Sequence, residues 1–176
     1  MKKEIWTIGH STHTLDEFLA RLKSFGIQTL VDVRSLPGSK KFPHFDKEVL
    51  EIQMPNHDIQ YIHFKDLGGR RKTSQTSKNT GWRLASFRGY ADYMETDAFL
   101  HAVTRLETIG QRSRTAFFCA EAVWWSCHRS LIADFLKHEG WAVFHIMGVG
   151  KAQEHPYTSP ARIVNDQLVY SSETND

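Results

Sequence analysis

Five short apolar runs, separated by segments with helical periodicity, constrain the fold of this chain most strongly. The runs are rich in β-branched and aromatic residues, which is typical of buried strands. They lie at residues 5–8, 28–33, 60–64, 115–119 and 141–146. Strands that are apolar throughout and alternate with helices are typical of a parallel sheet covered on both faces. We therefore predict an α/β fold with a mainly parallel sheet of about five strands and flanking helices.

Capping and stop signals predict the segments between the strands. Thr14 and Glu17 have the spacing of a capping box, which predicts a helix running to about residue 24, and Gly26 ends it. Other predicted elements are helices at residues 47–54, 90–94, 97–109 and 126–138, a polar loop at 67–81 and a C-terminal hairpin around 165–166. The sequence contains no internal repeat or linker, so we expect a single domain over residues 1–176.

The overall composition is that of an ordinary globular protein. The chain is 40% hydrophobic and 24% charged, with a formal net charge of +2, which excludes a disordered, collagen-like or coiled-coil protein. No apolar run approaches the ~20 residues that span a bilayer. The N-terminus lacks the apolar core of a signal peptide, and two cysteines cannot build a disulfide framework. We therefore expect a cytoplasmic protein that has no membrane partner.

Reactive and titratable side chains occur where the predicted strands end. They are His10 and Ser11 after the first strand, Asp32 and Arg34 at the second, Arg70 and Arg71 after the third, and Cys119 and Glu121 at the fourth. Ligands of open parallel sheets bind outside the carboxyl ends of the strands, so we predict the functional site at this edge. An aspartate inside an apolar strand requires a partner, for which Arg34 and Arg129 are the candidates.

The segment between residues 119 and 129 contains the most reactive residue types. Ser126 is a candidate N-cap for the following helix, which would place Cys127 and His128 in its first turn. Backbone N–H groups and the helix dipole favour an anion there and lower the pKa of a thiol. We therefore predict Cys127 as a nucleophile, with His128 or His10 as its base. A structural role for Cys127 or His10 is the alternative.

Neighbouring residues have predicted supporting roles. Glu121 is a candidate general acid or base. Arg129 is a candidate clamp for a substrate anion, unless its partner is an acid of the chain such as Asp32 or Glu121. Cys119, at the end of a buried strand, is expected to be a core residue. The C-x7-C-H spacing matches no usual zinc pattern, so we predict no metal ligand, and we keep a Cys/His metal or redox protein as an alternative.

Residues 65–88, which we call the basic segment, carry seven basic side chains and one acidic one. Their net charge of +6 leaves −4 on the rest of the chain. Basic residues mixed with aromatic ones suit phosphate contacts and base stacking. The nearby aromatic residues are Trp82, Phe87, Tyr90 and Tyr93. We predict that the basic segment binds an anion, with a solvated mobile loop as the alternative.

Six motifs together resemble the bacterial domain-of-unknown-function family 488. They are T-I-G-H-S-T at 7–12, L-V-D-V-R-S at 30–35, L-G-G-R-R at 67–71, F-R-G-Y-A-D-Y-M at 87–94, C-A-E-A-x-x-x-x-C-H-R-x-L-I-A-D at 119–134 and H-P-Y-T-S-P-A-R-I at 155–163. The resemblance implies that the candidate residues, together with Gly68, Gly69, Tyr90 and Asp92, lie in signature blocks of the family. It implies no reaction, substrate or cofactor.

The sequence therefore predicts an enzyme, a hydrolase or transferase that acts on a phosphate-bearing substrate such as a nucleotide or a nucleic acid. The predicted catalytic residues are Cys127, His128, Glu121 and His10, and the predicted substrate-binding residues are Ser11, Asp32, Arg34, Arg70, Arg71, Tyr90, Asp92 and Arg129. A non-catalytic nucleic-acid-binding module and a Cys/His metal or redox protein are the alternatives. Cofactor and oligomeric state are left unknown.

Overall fold

A six-stranded sheet forms the centre of the molecule, which a computed structural model describes over residues 2–172. The strands are β1 (Glu4–Gly9), β2 (Thr29–Asp32), β3 (Gln60–His63), β4 (Thr115–Cys119), β5 (Ala142–Gly148) and β6 (Lys151–Glu154). They lie in the order β3-β2-β4-β1-β5-β6. The first five are parallel, and β6 pairs antiparallel with β5. The predicted α/β class and mainly parallel sheet are confirmed.

Five α-helices of the described chain cover the two faces of this sheet. They are α1 (Leu15–Ser24), α2 (Lys47–Asn56), α3 (Ala85–Tyr93), α4 (Asp97–Arg112) and α5 (Arg129–His138). One core cluster joins α1 and α2 to the sheet, and a second core cluster joins α3, α4 and α5 to it. Side chains of a strand alternate between faces, so Phe118 packs on the α1–α2 side, whereas Phe117 and Cys119 pack on the α5 side.

Local sequence signals determine where several of these elements begin or turn. The capping box before α1 is present, with the Glu17 N–H donating to Thr14 Oγ1 at 3.1 Å and the Thr14 N–H donating to Glu17 Oε1 at 3.0 Å. The C-terminal hairpin, formed by β7 (Arg162–Val164) and β8 (Gln167–Val169), is also confirmed. Its turn residues Asn165 and Asp166 have φ values of 52° and 62°, the left-handed pair that a tight two-residue hairpin requires.

Two sequence predictions were incomplete or wrong. Strand β6 was missed because all four of its residues are exposed, so it has no apolar pattern to detect. Ser126 does not cap α5, since it lies in a short 3-10 helix spanning Trp124–Ser126, and His128 is the N-cap. Cys127 between them has extended backbone, with φ −135° and ψ 149°. The helix therefore begins at Arg129, and Cys127 stands just before it.

The strand order produces a crevice at the carboxyl ends of β1 and β4. The chain leaves β1 for β2 on one side and leaves β4 for β5 on the other side. Gly9, the last residue of β1, pairs with Cys119, the last residue of β4. A Cβ atom on Gly9 would lie only 1.7 Å from the carbonyl oxygen of Glu121, so no side chain fits here. Ligands of α/β sheets bind at such a switch point.

The polar loop predicted at 67–81 is ordered by one carboxylate of α3. Asp92 accepts hydrogen bonds from the Ser74 N–H at 2.8 Å, from Ser77 Oγ at 2.6 Å and from Asn79 Nδ2 at 2.7 Å. Residues 68–84 form no helix or strand. The long connection is therefore irregular as predicted, and Asp92 anchors it to the body of the domain.

Helices suited to crossing a bilayer are absent from residues 2–172. None of the α-helices there combines the length and the apolar character that a membrane span needs.

Candidate functional site

A pocket of about 290 Å³ opens beside the carboxyl ends of β2 and β4. Six of the predicted site residues line it: Arg34, Arg70, Tyr90, Glu121, Cys127 and His128. Cys119 also lines it, together with Ser86 and Phe87 at the start of α3. The structure therefore brings both cysteines and the adjacent histidine to one cavity at the predicted edge of the sheet.

The Cys127 sulfur is surrounded by polar groups from its own neighbours in sequence. Cys127 Sγ lies 3.5 Å from His128 Nδ1. It also accepts the backbone N–H of Arg129, the first residue of α5, at 3.5 Å. An N–H at a helix N-terminus stabilises negative charge on an acceptor. Both contacts favour removal of the thiol proton from Cys127.

The tautomer of His128 follows from its other ring nitrogen. His128 Nε2 lies 2.8 Å from the Val33 carbonyl oxygen, which can only accept, so Nε2 carries the hydrogen. The lone pair of Nδ1 then faces the Cys127 sulfur. Burial lowers the pKa of His128 to about 4, so the ring is neutral near pH 7 and acts as an acceptor. In the reduced protein, the neutral ring can therefore accept a hydrogen bond from the Cys127 thiol.

Close packing fixes the His128 ring in place. A Cβ atom on Gly69 would lie 3.1 Å from His128 Nδ1, so a larger residue there would push against the ring. The Tyr90 ring covers the other side at a centroid distance of 4.9 Å. The Tyr90 hydroxyl donates to the Leu67 carbonyl at 2.8 Å, and burial raises its pKa well above 10.0. Tyr90 therefore lines the pocket with its ring while its hydroxyl is already bonded.

Arg129 lies beneath the pocket rather than in its wall. The side chain is 1% exposed. Nη1 donates to Cys119 Sγ at 3.5 Å and Nη2 to the Ala122 carbonyl at 3.2 Å, while the buried Nε has no hydrogen-bond partner. Burial lowers the pKa of Arg129 to about 9, and the charge of Glu121 opposes that shift. Arg129 is not placed to clamp a substrate in the pocket, because the two cysteines lie in between.

The two cysteine sulfurs are in contact with each other. Their Cα atoms are 7.2 Å apart, one at the end of β4 and the other just before α5. Cys119 is buried as predicted, with 2% of its surface exposed, yet it lines the pocket and faces the Arg129 guanidinium. The pair can therefore exist as a dithiol or as a disulfide, and Cys119 belongs to the site.

His10, Asp32 and Arg34 form a second cluster on the α1–α2 side of the sheet. Arg34 donates to Asp32 Oδ1 through Nε at 2.9 Å and to Oδ2 through Nη2 at 2.8 Å. Asp32 also accepts the Tyr61 hydroxyl and is fully buried. Of the two partners considered for Asp32, the structure places Arg34 there. Asp32 therefore makes no contact with the pocket, and Arg34 reaches the pocket with most of its donors already bonded.

His10 is 3% exposed and is not part of the pocket wall. Its ring stacks on Phe45 at a centroid distance of 4.4 Å, and Nδ1 bonds the Ser11 carbonyl at 2.9 Å. Burial lowers its pKa to about 4. Ser11 contributes through its backbone, whose N–H donates to the Ala120 carbonyl at 2.9 Å. The structure therefore places His128, and not His10, against Cys127.

The basic segment presents cations beside the pocket mouth. None of its lysines and arginines forms an ion pair with a carboxylate of the described chain. Arg70 lines the pocket. Arg71 instead lies over the Tyr93 ring at 3.7 Å and donates to the Gly68 carbonyl. Trp82 is 8% exposed and Tyr90 1% exposed, so neither offers the free ring face that base stacking requires.

A Cys/His metal protein is one of the alternatives that the sequence leaves open. Among residues 2–172, no group of three or more His, Cys, Asp and Glu side chains is arranged to hold a metal ion.

The sequence contained a signal for the placement of Arg129 that the interpretation missed. Arg129, Ile132, Ala133 and Leu136 have the spacing of residues on one face of α5, and all four are buried. A basic residue on the buried face of a helix requires a partner in the core. Cys119 points to the same side of the sheet, so the periodicities of α5 and β4 together predict this contact.

Fold and site together define a class: a doubly wound α/β domain with a cysteine–histidine pair in a pocket at the carboxyl edge of its sheet. A family model described as "Domain of unknown function DUF488" matches residues 14–136. The chain belongs to this family, and the resemblance drawn from the motifs is confirmed. Curated proteins provide no match, and solved structures provide none either.

Proposed function

We propose that this chain is an enzyme in which Cys127 is the nucleophile and the substrate carries a phosphate group. The observation that supports this most directly is the position of Cys127 Sγ between the lone pair of His128 Nδ1 and the Arg129 N–H, each at 3.5 Å, in the wall of a pocket. A nucleophilic thiol requires a base within reach and a field that favours the thiolate, and both are present.

The reaction would proceed in two steps. The Cys127 thiol gives its proton to His128 Nδ1, and Sγ attacks the electrophilic centre of the substrate. The leaving group departs with the bonding electron pair and takes a proton from Glu121 or from His128. Attack by water on the covalent intermediate completes a hydrolysis, and attack by another acceptor completes a transfer. In either case the Cys127 thiol is regenerated, so no oxidant or reductant is consumed.

Charge at the pocket mouth supports an anionic substrate. Arg70 lines the pocket, and the basic segment beside it carries cations that have no carboxylate partner in the described chain. Phosphates of a nucleotide or a nucleic acid suit such a surface. Half-buried Phe87 in the pocket wall offers apolar area for a base. The same segment would serve a non-catalytic nucleic-acid-binding module, which predicts affinity that falls steeply with salt and survives replacement of both cysteines.

A substrate panel tests the enzyme proposal. Nucleotides, phosphomonoesters and DNA oligomers are incubated with the wild type, Cys127→Ser and Glu121→Gln. Glu139→Gln, an exposed acid at the end of α5, is the matched control for the second variant. We expect Cys127→Ser to lose turnover completely, Glu121→Gln to lose about 10²-fold or more in rate, and the control to match the wild type. Turnover by Cys127→Ser at the wild-type rate would show that the nucleophile is wrongly assigned.

A second candidate function is thiol–disulfide exchange, and the contact between the Cys119 and Cys127 sulfurs favours it. Cys127 would attack a substrate disulfide, and Cys119 would then displace the mixed disulfide, so that two thiols are oxidised as one disulfide is reduced. We place the protein in the cytoplasm, where glutathione keeps such pairs reduced. Thiol counting after the reduced protein is incubated with a disulfide substrate separates the candidates. Redox function predicts that both thiols are lost to a disulfide that dithiothreitol reverses, and nucleophilic catalysis predicts that both thiols remain.

A further inference from the structure

A chain of buried hydrogen-bonding side chains lies outside the pocket. His155 Nε2 is 2.8 Å from Asp134 Oδ1, His145 Nε2 is 2.7 Å from His155 Nδ1, and Thr7 Oγ1 is 2.5 Å from His145 Nδ1. All four residues are at most 1% exposed. We call Thr7, His145, His155 and Asp134 the buried relay. None of these residues lines the pocket, so none touches a substrate there.

The Asp134 carboxylate, at the far end of the buried relay, accepts hydrogen bonds on both of its oxygens. Asp134 also accepts the Thr158 N–H at 3.0 Å, the Thr158 hydroxyl at 2.5 Å and the Tyr170 hydroxyl at 2.7 Å. With four donors facing this carboxylate, His155 Nε2 donates to it. His155 Nδ1 is hydrogen-bonded to His145 Nε2, and His145 Nδ1 is hydrogen-bonded to Thr7 Oγ1. Each ring is thus held in one orientation.

The relay supports Trp124, which lies three residues before the nucleophile. The Trp124 indole lies flat on the His145 ring, with a centroid distance of 4.8 Å and an interplanar angle of 5°. Its Nε1–H donates to Gln153 Oε1 at 3.2 Å. Trp124 begins the short 3-10 helix, and its carbonyl accepts the Cys127 N–H at 3.4 Å. The orientation of the His145 ring therefore determines the position of Trp124 and of the backbone segment that leads from it to Cys127.

The same relay supports the segment that follows the nucleophile. Asp134 belongs to α5, whose first residue Arg129 directs its N–H to Cys127 Sγ. The hydrogen bonds to Asp134 hold α5 against His155, the residue after β6, and against Tyr170, the residue after β8. Both flanks of Cys127 are therefore attached to one buried network, which reaches the first flank through Trp124 and the second through Asp134.

We propose that His145 is a positioning residue for Cys127: through the Trp124 stack, the buried relay holds the Cys127 sulfur against His128 Nδ1 and the N-terminus of α5. This inference rests on the proposed function, because it concerns the nucleophile named there. His145 acts through Trp124 and makes no contact with the substrate pocket. The charged and titratable groups that face Cys127 itself are His128, Arg129, Glu121 and Cys119.

The test measures how fast iodoacetamide alkylates Cys127 in the reduced full-length protein as a function of pH. Mass spectrometry of the two cysteine peptides gives the rate for each cysteine separately. His145→Leu removes both the ring and its hydrogen bonds, and we expect its Cys127 alkylation at pH 7 to fall at least fivefold, with the inflection moved to higher pH. His145→Phe keeps a ring for Trp124 to stack on, and we expect it to recover most of the rate.

Trp141→Phe is the matched control. It removes a partly buried hydrogen bond, from Trp141 Nε1–H to Glu107 Oε2 at 3.0 Å. Trp141 lies just before β5, at the amino end of the strand and away from the pocket. We expect it to lower the melting temperature and to leave the alkylation profile unchanged. If His145→Leu does not fold, Trp124→Leu tests the same stack from the side of the pocket and should give the same fall in rate.

A wild-type alkylation profile in a folded His145→Leu or Trp124→Leu protein would overturn the positioning role. An equal change in the Trp141→Phe control would also overturn it, since it would show a general effect of stability. Failure of the proposed function would look different: Cys127→Ser would keep its turnover on the substrate panel, whatever the alkylation profiles of the His145 variants.

Discussion

Replacement of Arg129 by methionine tests the electrostatic basis of the site. The guanidinium is 1% exposed, has no ion-pair partner in the described chain and donates to Cys119 Sγ. Methionine has a similar length and no charge, so Arg129→Met removes the cation and keeps much of the packed volume. The prediction is that the cysteine pair becomes less reactive while the fold is retained.

The expected size of the effect follows from one distance. Nη1 lies 3.5 Å from Cys119 Sγ. At about 4 Å and an effective dielectric constant of about 20, two unit charges attract with about 4 kcal/mol. At about 1.4 kcal/mol per pKa unit, loss of that attraction raises the pKa of the Cys119 thiol by up to about 3 units. A rise of at least about one unit is therefore expected for a contact this close.

The effect on stability has the opposite sign. Burial lowers the pKa of Arg129 from 12.5 to about 9, so the folded state disfavours the charged form. Below pH 9 the charged side chain therefore costs up to about 5 kcal/mol of folding stability, a cost that is relieved as pH rises from 9 towards 12.5. Arg129→Met removes this cost and leaves the Ala122 carbonyl and Cys119 Sγ without the donors of the guanidinium. We expect its unfolding free energy to equal or exceed that of the wild type.

The assay measures both quantities on the same reduced protein. Iodoacetamide rates for each cysteine peptide, taken from pH 5 to pH 10, give the thiol pKa values, and urea unfolding at pH 7 gives the stability. Arg129→Lys keeps a cation without the fork of donors and should fall between the wild type and Arg129→Met. Unchanged thiol pKa values in a folded Arg129→Met protein would refute the electrostatic reasoning. A large loss of stability would refute the account of the buried charge.

Two further predictions concern the histidines. Gly69→Ala places a Cβ atom 3.1 Å from His128 Nδ1, so the ring must give way and its alignment with Cys127 changes. We expect slower Cys127 alkylation at pH 7 with a nearly unchanged melting temperature, and an unchanged rate would show that the ring tolerates the contact. Burial lowers the pKa of four histidines, and most strongly that of three of them, to about 4 for His10 and His128 and to about 2 for His145. Because the unfolded chain binds protons near pH 6.5 and the folded chain does not, stability should fall as pH drops from 6.5 towards 4, by up to about 3 kcal/mol for each of these three residues. Urea unfolding at pH 7.5, 6.0 and 4.5 measures this slope, and constant stability across the three values would contradict it.

The sequence predicted the sheet and the edge that carries the site because both depend on local patterns. Four of the five apolar runs are buried strands, the third run is the half-exposed edge strand β3, and residues at their carboxyl ends converge as parallel strands require. Strand β6 was not predictable in this way, because its pairing with β5 depends on a tight reversal and not on an apolar pattern. Tertiary contacts, rather than propensity, determine such an edge strand.

Local sequence patterns also could not predict that the candidate residues separate into two clusters. His10, Asp32 and Cys119 all lie at strand ends, and they differ only in the face to which each side chain points. Asp32 points to the α1–α2 side, where it binds Arg34, whereas Cys119 points to α5. A shift of one residue in strand register exchanges the two faces, so the assignment needs the register that the structure supplies.

Arg129 also bears on the choice between the two candidate functions. In a disulfide neither sulfur carries charge, so the charge of Glu121 alone opposes the cost of burying the guanidinium. In the dithiol form, one sulfur can ionise beside Nη1 and offset part of the cost of burying the cation. The guanidinium therefore favours the reduced pair with one thiolate. The guanidinium contacts Cys119 and not Cys127, so it acts on the proposed nucleophile only by keeping the pair reduced.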